Sequence, residues 1–472
     1  MVTLLNAFTA CMGVMFFSYV FFILFPFLQH RKLTPGNPAA FSFHLFIPCR
    51  DEEMVIATTI ERARCDFPDA HVWVIDDDSD DNTVTIASRY AADPFVHIVR
   101  RRRPEARTGK GHALNAAYME LNNWLPAQFD SENTIVTVID ADGEMAENAL
   151  HVVSSKEVFG NPNIGAAQIA VWMKNRNDEV PYPGRGRLSN MRARWIIRMQ
   201  DIEFRTGSAA MQSLRARAGT VGLGGNGQFT RLSVLDAISL RQGRPWNGAL
   251  LEDYELGLQV LFTGSKIKHV YDTHVSQEAV PSIRRFLTQR TRWAQGNIQC
   301  VRYIPQIVRS QHFSSAGVIE TCYYLVLPFL QMLGMMAFLT LAGIGILETI
   351  TTPGLSLPLL EKIEFDAFLS LLFAIMPFIL WGPVYKIRCE PKTSVVRSIL
   401  YGFGVWIYIY YIYISITRAF LRIALRRNSW SKTLRNEKRT SPTDLTPPKV
   451  GEKTCQGSSE FLKVGRACHR HR

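Results

Sequence analysis

Apolar and polar positions follow two rhythms in this chain, bracketed by long apolar runs. Phe43–Ile47, Val72–Ile75, Val96–Val99 and Ile135–Ile139 are short β-branched and aromatic runs of strand length. Between them Glu52–Cys65, Thr83–Ala92 and His112–Leu121 carry apolar residues at helical spacing. This alternation predicts an α/β domain on a doubly wound, mostly parallel sheet, with ligands at the strand C-termini. A further strand is expected over Gly165–Met173, and a basic helical stretch between Arg187 and Arg217. Leu4–Leu28 holds no charged residue. As a helix it reaches about 37 Å, beyond the ~30 Å hydrocarbon core of a bilayer. Cys322–Leu347, Ala367–Tyr385 and Ser398–Thr417 are three further apolar spans. The expected domains are an anchor (1–32), a globular unit (40–305), interfacial and membrane helices (306–420) and a basic, disordered tail (421–472).

The net charge of +12 suits nucleic acid, a membrane surface or an anionic substrate. The apolar spans select the latter two, and no nucleic-acid partner is expected. His30-Arg31-Lys32 after the first span places the globular unit in the cytoplasm of a multi-pass plasma-membrane protein. Acidic residues Glu348, Glu361, Glu364 and Asp366 put the next loop outside; Lys386, Arg388, Lys392 and Arg397 put the following one inside. Parity then sends the tail outside, although Arg418, Arg422 and Arg426 make its start basic. Either the last span is re-entrant or the tail escapes the rule, and the i, i+4 spacing would also suit an interfacial helix; these readings stay open. Cys49, Cys65 and Cys300 are expected to be reduced. Cys468, His469 and His471 lie in the basic tail and are not read as a metal site.

The candidate chemistry sits where strands end. Ile139 is followed by Asp140-Ala-Asp142-Gly143, carboxylates that can converge on a hard divalent cation carrying substrate phosphates. Taken alone, the stretch is as readily a strand and its turn. The crowded carboxylates from Asp76 to Asp81 exceed what one helix cap needs and can accept from ribose hydroxyls or a base N–H. Lys110 opens a helix but lacks the upstream glycine of a phosphate loop; a diphosphate contact and a solvated lysine are equally open. Gly222–Gly227 matches GxGxxG without a βαβ context, so a dinucleotide site is set aside. Glu252 and Asp253 head an apolar-periodic helix, either as favourable N-terminal charges or with one as a general base. After 35 intervening residues, Gln289, Arg292 and Trp293 share a helical face suited to a sugar diphosphate, with an interfacial aromatic belt as the other account of Trp293.

Together these stretches resemble the membrane-embedded, inverting glycosyltransferases of family 2 with a GT-A catalytic domain. DDxSxDxT is met by Asp76, Asp77, Ser79, Asp81 and Thr83, and GKxxALN by Gly109–Asn115. DAD is met by Asp140-Ala-Asp142, the acidic motif by Glu252-Asp253, and QxxRW by Gln289, Arg292 and Trp293. The resemblance implies a UDP-sugar donor, with Asp77 on the uracil and Glu52 at the ribose. Asp142 with Asp140 would hold Mg2+ or Mn2+ against the diphosphate, alongside Lys110. Asp253 would be the base, and Gln289, Arg292 and Trp293 would frame the diphosphate and acceptor. Glu252 and Gly225, Asn226, Gly227 and Gln228 would line the acceptor side. Asp51 stands where the family usually has Asn, and Leu251 where it often has Thr.

Three functions follow as expectations. The first is β-glycosyl transfer onto a growing polysaccharide at the membrane. The second is transfer of one sugar to a membrane lipid, diacylglycerol or polyprenyl phosphate, favoured by a likeness of GNGQF and QRxRWAxG to glucosyl-diacylglycerol synthases. The third, a non-catalytic basic scaffold, is disfavoured by the intact motifs. Whether accessory subunits are needed is not encoded.

Overall fold

The computed structural model describes residues 2–351 and 375–427. One mixed eight-stranded sheet forms the centre, in the order β3-β2-β1-β4-β7-β6-β8-β5. Its first half is the parallel unit expected from the alternation: β1 (Ser42–Cys49), β2 (His71–Asp77), β3 (Val96–Arg101) and β4 (Thr134–Val138). Helices α2 (Ile56–Asp66), α3 (Thr83–Ser88) and α4 (Lys110–Trp124) make the crossovers. Leu45, Phe46 and Ile47 of β1 are wholly buried, as a strand covered on both faces requires. Ile56 and Ile60 fill one side of the sheet, and Leu114 and Leu121 the other.

The second half departs from a purely doubly wound pattern. Strand β7 (Gln228–Arg231) runs antiparallel to both β4 and β6 (Ile164–Met173). β8 (Lys266–Gln277) is parallel to β6, and β5 (Glu144–Met145) closes the edge antiparallel to β8. The 12-residue β8 was missed because its inward residues are interrupted by a register shift opposite Ile169 and Ala170.

Expected helix limits shift modestly. α2 starts at Ile56 rather than Glu52, because Glu52–Val55 forms a turn closed by Val55 N–H on the Glu52 carbonyl. The stretch from Arg187 is α6 (Arg187–Ile202), a π-helical turn (Glu203–Ser208) and α7 (Ala209–Ala218). α5 (Ala149–Val153), α8 (Leu232–Gln242), α9 (Glu252–Phe262), α10 (Ile283–Cys300) and α11 (Ile304–Arg309) complete the globular unit.

Among the described residues three helical stretches are long and apolar enough to cross a membrane: Ala7–Leu28, Ser315–Leu347 and Val395–Ala424. They belong to α1 (Val2–Leu28), α12 (Ser315–Thr351) and the pair α15 (Val395–Ile409) and α16 (Tyr411–Ala424). The expected span Ala367–Tyr385 lies partly outside the described residues; its end forms α13 (Met376–Ile379) and α14 (Trp381–Arg388). The tail from residue 428 is also outside them. Val20, Ile23 and Phe27 of α1 share a core with Met199, Ile202, Ala209 and Ala210, so α1 packs directly on the α6–α7 region. His30 meets Asp272 of β8 at 3.0 Å at the foot of α1. Glu390, just after α14, pairs with Arg205 at 2.7 Å.

Candidate active site

The C-terminal edge of the parallel strands gathers the carboxylates. Asp76 and Asp77 end β2, and Cys49 of β1 pairs with Asp76 in register. Asp77 is buried and accepts from the guanidinium of Arg101 and, at 3.0 Å, from the backbone N–H of Arg107. Asp81 closes the turn ahead of α3, accepting from Thr83 N–H at 2.9 Å and Glu53 N–H at 3.0 Å. Thr83 in turn accepts from the N–H of buried Glu52 at 2.7 Å, tying the first loop to the acidic one. Asp76 is buried, which raises its pKa despite its hydrogen bonds with Ser79.

Asp140 and Asp142 follow β4. The Gly143 N–H donates to the Asp140 carbonyl at 2.7 Å and closes the turn. A Cβ on Gly143 would stand 2.6 Å from Ile139 Cγ2 and 2.9 Å from Asn226 Oδ1, so no larger residue fits without displacing the turn. Asn226 accepts from Asp140 N–H at 3.2 Å. Asp142 is buried and accepts from Glu278 N–H at 3.1 Å; Lys174 donates to its carbonyl at 3.1 Å. Asp140 is more open, 36% exposed, and faces Lys110 Nζ at 2.6 Å. Lys110 also donates to the Gly225 carbonyl at 2.7 Å, so it joins the aspartate turn to the glycine loop.

The described residues hold no cluster of three or more His, Cys, Asp or Glu able to cage an ion. Two carboxylates on one turn still fit a hard cation that keeps its waters and a diphosphate as further ligands. Asp140 and Asp142 offer such a pair.

Glu252 and Asp253 occupy the first turn of α9. Burial, then mutual repulsion, raises Glu252 to about 7; burial raises Asp253 above its ordinary value, opposed by Lys110 and Arg292. Burial disfavours the Lys110 ammonium, but Asp140, Glu252 and Asp253 outweigh that and keep its pKa raised. One cation thus faces three carboxylates from two motifs. Arg292 approaches the same pair from α10. That approach is possible because α10 seats against the loop before α9. A Cβ on Gly296 would fall 2.6 Å from Leu251 N, and Gln299 accepts from Leu250 N–H at 2.9 Å.

The structure therefore brings together Lys110, Asp140, Gly225, Asn226, Glu252, Asp253 and Arg292. Asp77 and Glu52 lie on the neighbouring strand ends of the parallel half. Gln289 and Trp293 are half-buried on α10. Gln228, expected at the acceptor side, is only 1% exposed within β7, and its amide finds no hydrogen-bond partner among the described residues. Gln168 of β6, not singled out in the sequence, holds the glycine loop by accepting from Gly224 N–H at 2.7 Å and donating to the Asn226 carbonyl at 2.9 Å.

The family whose description is "Glycosyltransferase like family 2" matches residues 38–296, more than half of the chain. The chain belongs to glycosyltransferase family 2. This family 2 enzyme is 30% identical over 267 residues to a beta-monoglucosyldiacylglycerol synthase of Trichormus variabilis, covering 55% of this chain and 49% of that one. A beta-monoglucosyldiacylglycerol synthase of Synechocystis is 25% identical over 407 residues, 83% of this chain and 74% of the relative. The chain thus spans about half the length of the first relative. In fold, it matches a mannosyltransferase of Pyrobaculum calidifontis solved with GDP-Man and Mn2+, with TM-score 0.53 and 15% identity over 90% of this chain and 98% of that one.

The chain also carries a polar clamp with no signal in the sequence. Arg290, between Gln289 and Arg292, pairs with Glu203 of the π-helical turn through both nitrogens, at 3.1 and 2.7 Å. Tyr408 and Tyr411, at the α15–α16 junction, each donate to Glu203 at 2.7 Å. The Arg290 guanidinium lies 4.3 Å from the Trp293 ring centre. Further along, Arg422 donates to Gln295 at 2.9 Å, and Gln295 donates to the Arg427 carbonyl at 3.1 Å. Partners separated by 87 to 208 positions leave no periodic signal. Glu203→Gln strands a buried guanidinium, and one-sided removal of such a pair costs roughly 3–5 kcal/mol. The expected result is a clearly lower melting temperature, recovered in Glu203→Gln/Arg290→Met; a single variant melting like the native protein would remove the clamp from the stability account.

Proposed function

We propose that this enzyme transfers a hexose from a UDP-sugar to a membrane lipid, of diacylglycerol type, with inversion at the anomeric carbon. One observation carries the lipid acceptor: the carboxylate at the site's centre stands beside a candidate membrane helix. Asp253 is followed by Tyr254, whose ring lies 5.2 Å from that of Tyr324 in α12. Arg215 braces the same contact by pairing with Glu320 of α12 at 2.8 Å. An acceptor hydroxyl held at the bilayer surface reaches a base placed there; a soluble acceptor needs no such placement. The names of the cyanobacterial relatives support the same reading.

In this reading Asp253 removes the acceptor proton as the hydroxyl attacks opposite the leaving diphosphate. Lys110 and Arg292 meet the charge that develops on the leaving group. Asp140 and Asp142 hold a divalent cation, Mg2+ or Mn2+, which when bound supplies Lewis-acid stabilisation of the diphosphate. Asp77 and Glu52 take the nucleoside, with Arg101 fixing the orientation of Asp77. Gln289 and Trp293 flank the sugar diphosphate, and Glu252 and the Gly225–Gly227 loop the acceptor side.

We also read the catalytic unit as cytoplasmic in a multi-pass plasma-membrane protein. Three connections support one side for all of them: His30 at Asp272, Glu390 at Arg205, and Arg422 at Gln295. The basic end of the last helix then lies with the catalytic unit, which removes the parity conflict: α15–α16 rides along the domain as an interfacial helix.

The polysaccharide reading keeps the same chemistry and differs in acceptor; with α15–α16 along the domain, α1 and α12 are the candidate spans left among the described residues, few for a polymer conduit. Membranes containing the enzyme, given labelled UDP-glucose and Mg2+ or Mn2+, should yield organic-soluble label that runs as a monoglycosyl lipid. High-mass label released by a glycan hydrolase would instead establish the polymer.

A further inference from the structure

A second basic site lies on the far side of α9 from the glycine loop. A basin of about 620 Å³ is lined by Arg241, Arg302, Arg309, His312 and Gln306, with Phe262 as an apolar wall, and no carboxylate lines it. Arg241 donates to Gln259 at 2.7 Å, and Arg302 pairs with the wholly buried Glu255. Of the three guanidinium groups at the basin, Arg302 meets a buried carboxylate and Arg241 an amide, which leaves excess positive charge there. Leu240, Val308 and Ile319 are 89%, 58% and 70% exposed on the same elements, α8, α11 and the start of α12. Basic groups beside unpartnered apolar side chains, where the chain enters an apolar helix at Ser315, match a bilayer's headgroup layer.

We propose that this basin binds the phosphate of an anionic membrane lipid, separately from donor and acceptor; the proposal rests on the membrane placement of α12 given above. Arginine suits a phosphate through paired N–H donors, and the apolar rim suits the first methylenes of the acyl chains. The basin also touches the catalytic helix: Glu255, below Arg302, lies two positions after Asp253 and accepts from Ala249 N–H at 3.0 Å. An anion drawing on Arg302 therefore bears on the seating of α9.

The test uses the full chain in nanodiscs of phosphatidylcholine with or without phosphatidylglycerol, followed by native mass spectrometry of retained lipid. The native protein should retain phosphatidylglycerol over phosphatidylcholine by roughly tenfold. Arg309→Glu should bring that preference to parity while leaving turnover in phosphatidylcholine alone unchanged. A preference that survives in Arg309→Glu overturns the site. Failure of the native protein to enter nanodiscs overturns the membrane placement itself. Titration with inorganic phosphate separates the sources: an equally tight phosphate complex, lost in Arg309→Glu, assigns the basin to a soluble phosphate compound and overturns the lipid.

Discussion

Asp253→Asn is expected to lower turnover by roughly 10²–10⁴-fold while donor affinity stays near native, because the amide keeps the shape but cannot take a proton. Asp253 is nearly buried at the start of α9 and accepts from Tyr254 N–H at 2.7 Å, so its orientation is set before any acceptor arrives. Burial raises the pKa of Asp253, and burial with repulsion raises Glu252 to about 7. A base works deprotonated, so activity should fall as pH drops through a limb displaced upward from the ordinary carboxylate range. The stability sign is the reverse. Folded pKa values above the unfolded ones stabilise the fold at low pH, and that contribution is lost as pH rises through the raised values. Asp253→Asn should therefore melt at a temperature less sensitive to pH between acidic and neutral buffers. Native turnover in this variant, with native donor affinity, removes Asp253 from the base role.

Asp142→Ala is expected to abolish metal-dependent donor binding, and Asp140→Asn to weaken it by at least about tenfold. The two should differ for a structural reason. Asp140 is the open carboxylate, shared with Lys110, whereas Asp142 is buried and anchored by Glu278 N–H. Asp140→Asn also removes the carboxylate that does most to keep the Lys110 ammonium charged, so its donor affinity should decline further as pH rises. Calorimetric titration of UDP-sugar with Mg2+, and again with a chelator, reads both effects. Asp142→Ala that still binds donor only when Mg2+ is added would falsify the chelating role.

Much of the catalytic half was legible because its signals are local. The apolar runs of β1, β2 and β4 are continuous since each is covered on both faces, and the carboxylates follow directly where those strands end. Asp140, Asp142, Glu252 and Asp253 could be singled out one motif at a time. Their convergence on Lys110 could not, since equal odds of a solvated lysine are all that a lone GKG permits. The antiparallel β7 is four residues long and β5 only two, too short for a period to declare itself.

What the sequence determined by itself was the chemistry at each strand end, the α/β alternation and the number of long apolar runs, because these depend on neighbours within a few residues. What only the tertiary structure decided was which of these groups share one electric field and which helices lie against one another. Lys110 reaches Asp140 and Gly225 across 30 and 115 positions, and Arg290 meets Glu203 across 87. Such pairs form because sheet order and helix docking bring distant segments within hydrogen-bond range. The last helix shows the same division: its hydropathy suits a span, yet Tyr408, Tyr411 and Arg422 tie it along the catalytic unit. Hydropathy records what a segment can bury; packing decides against what.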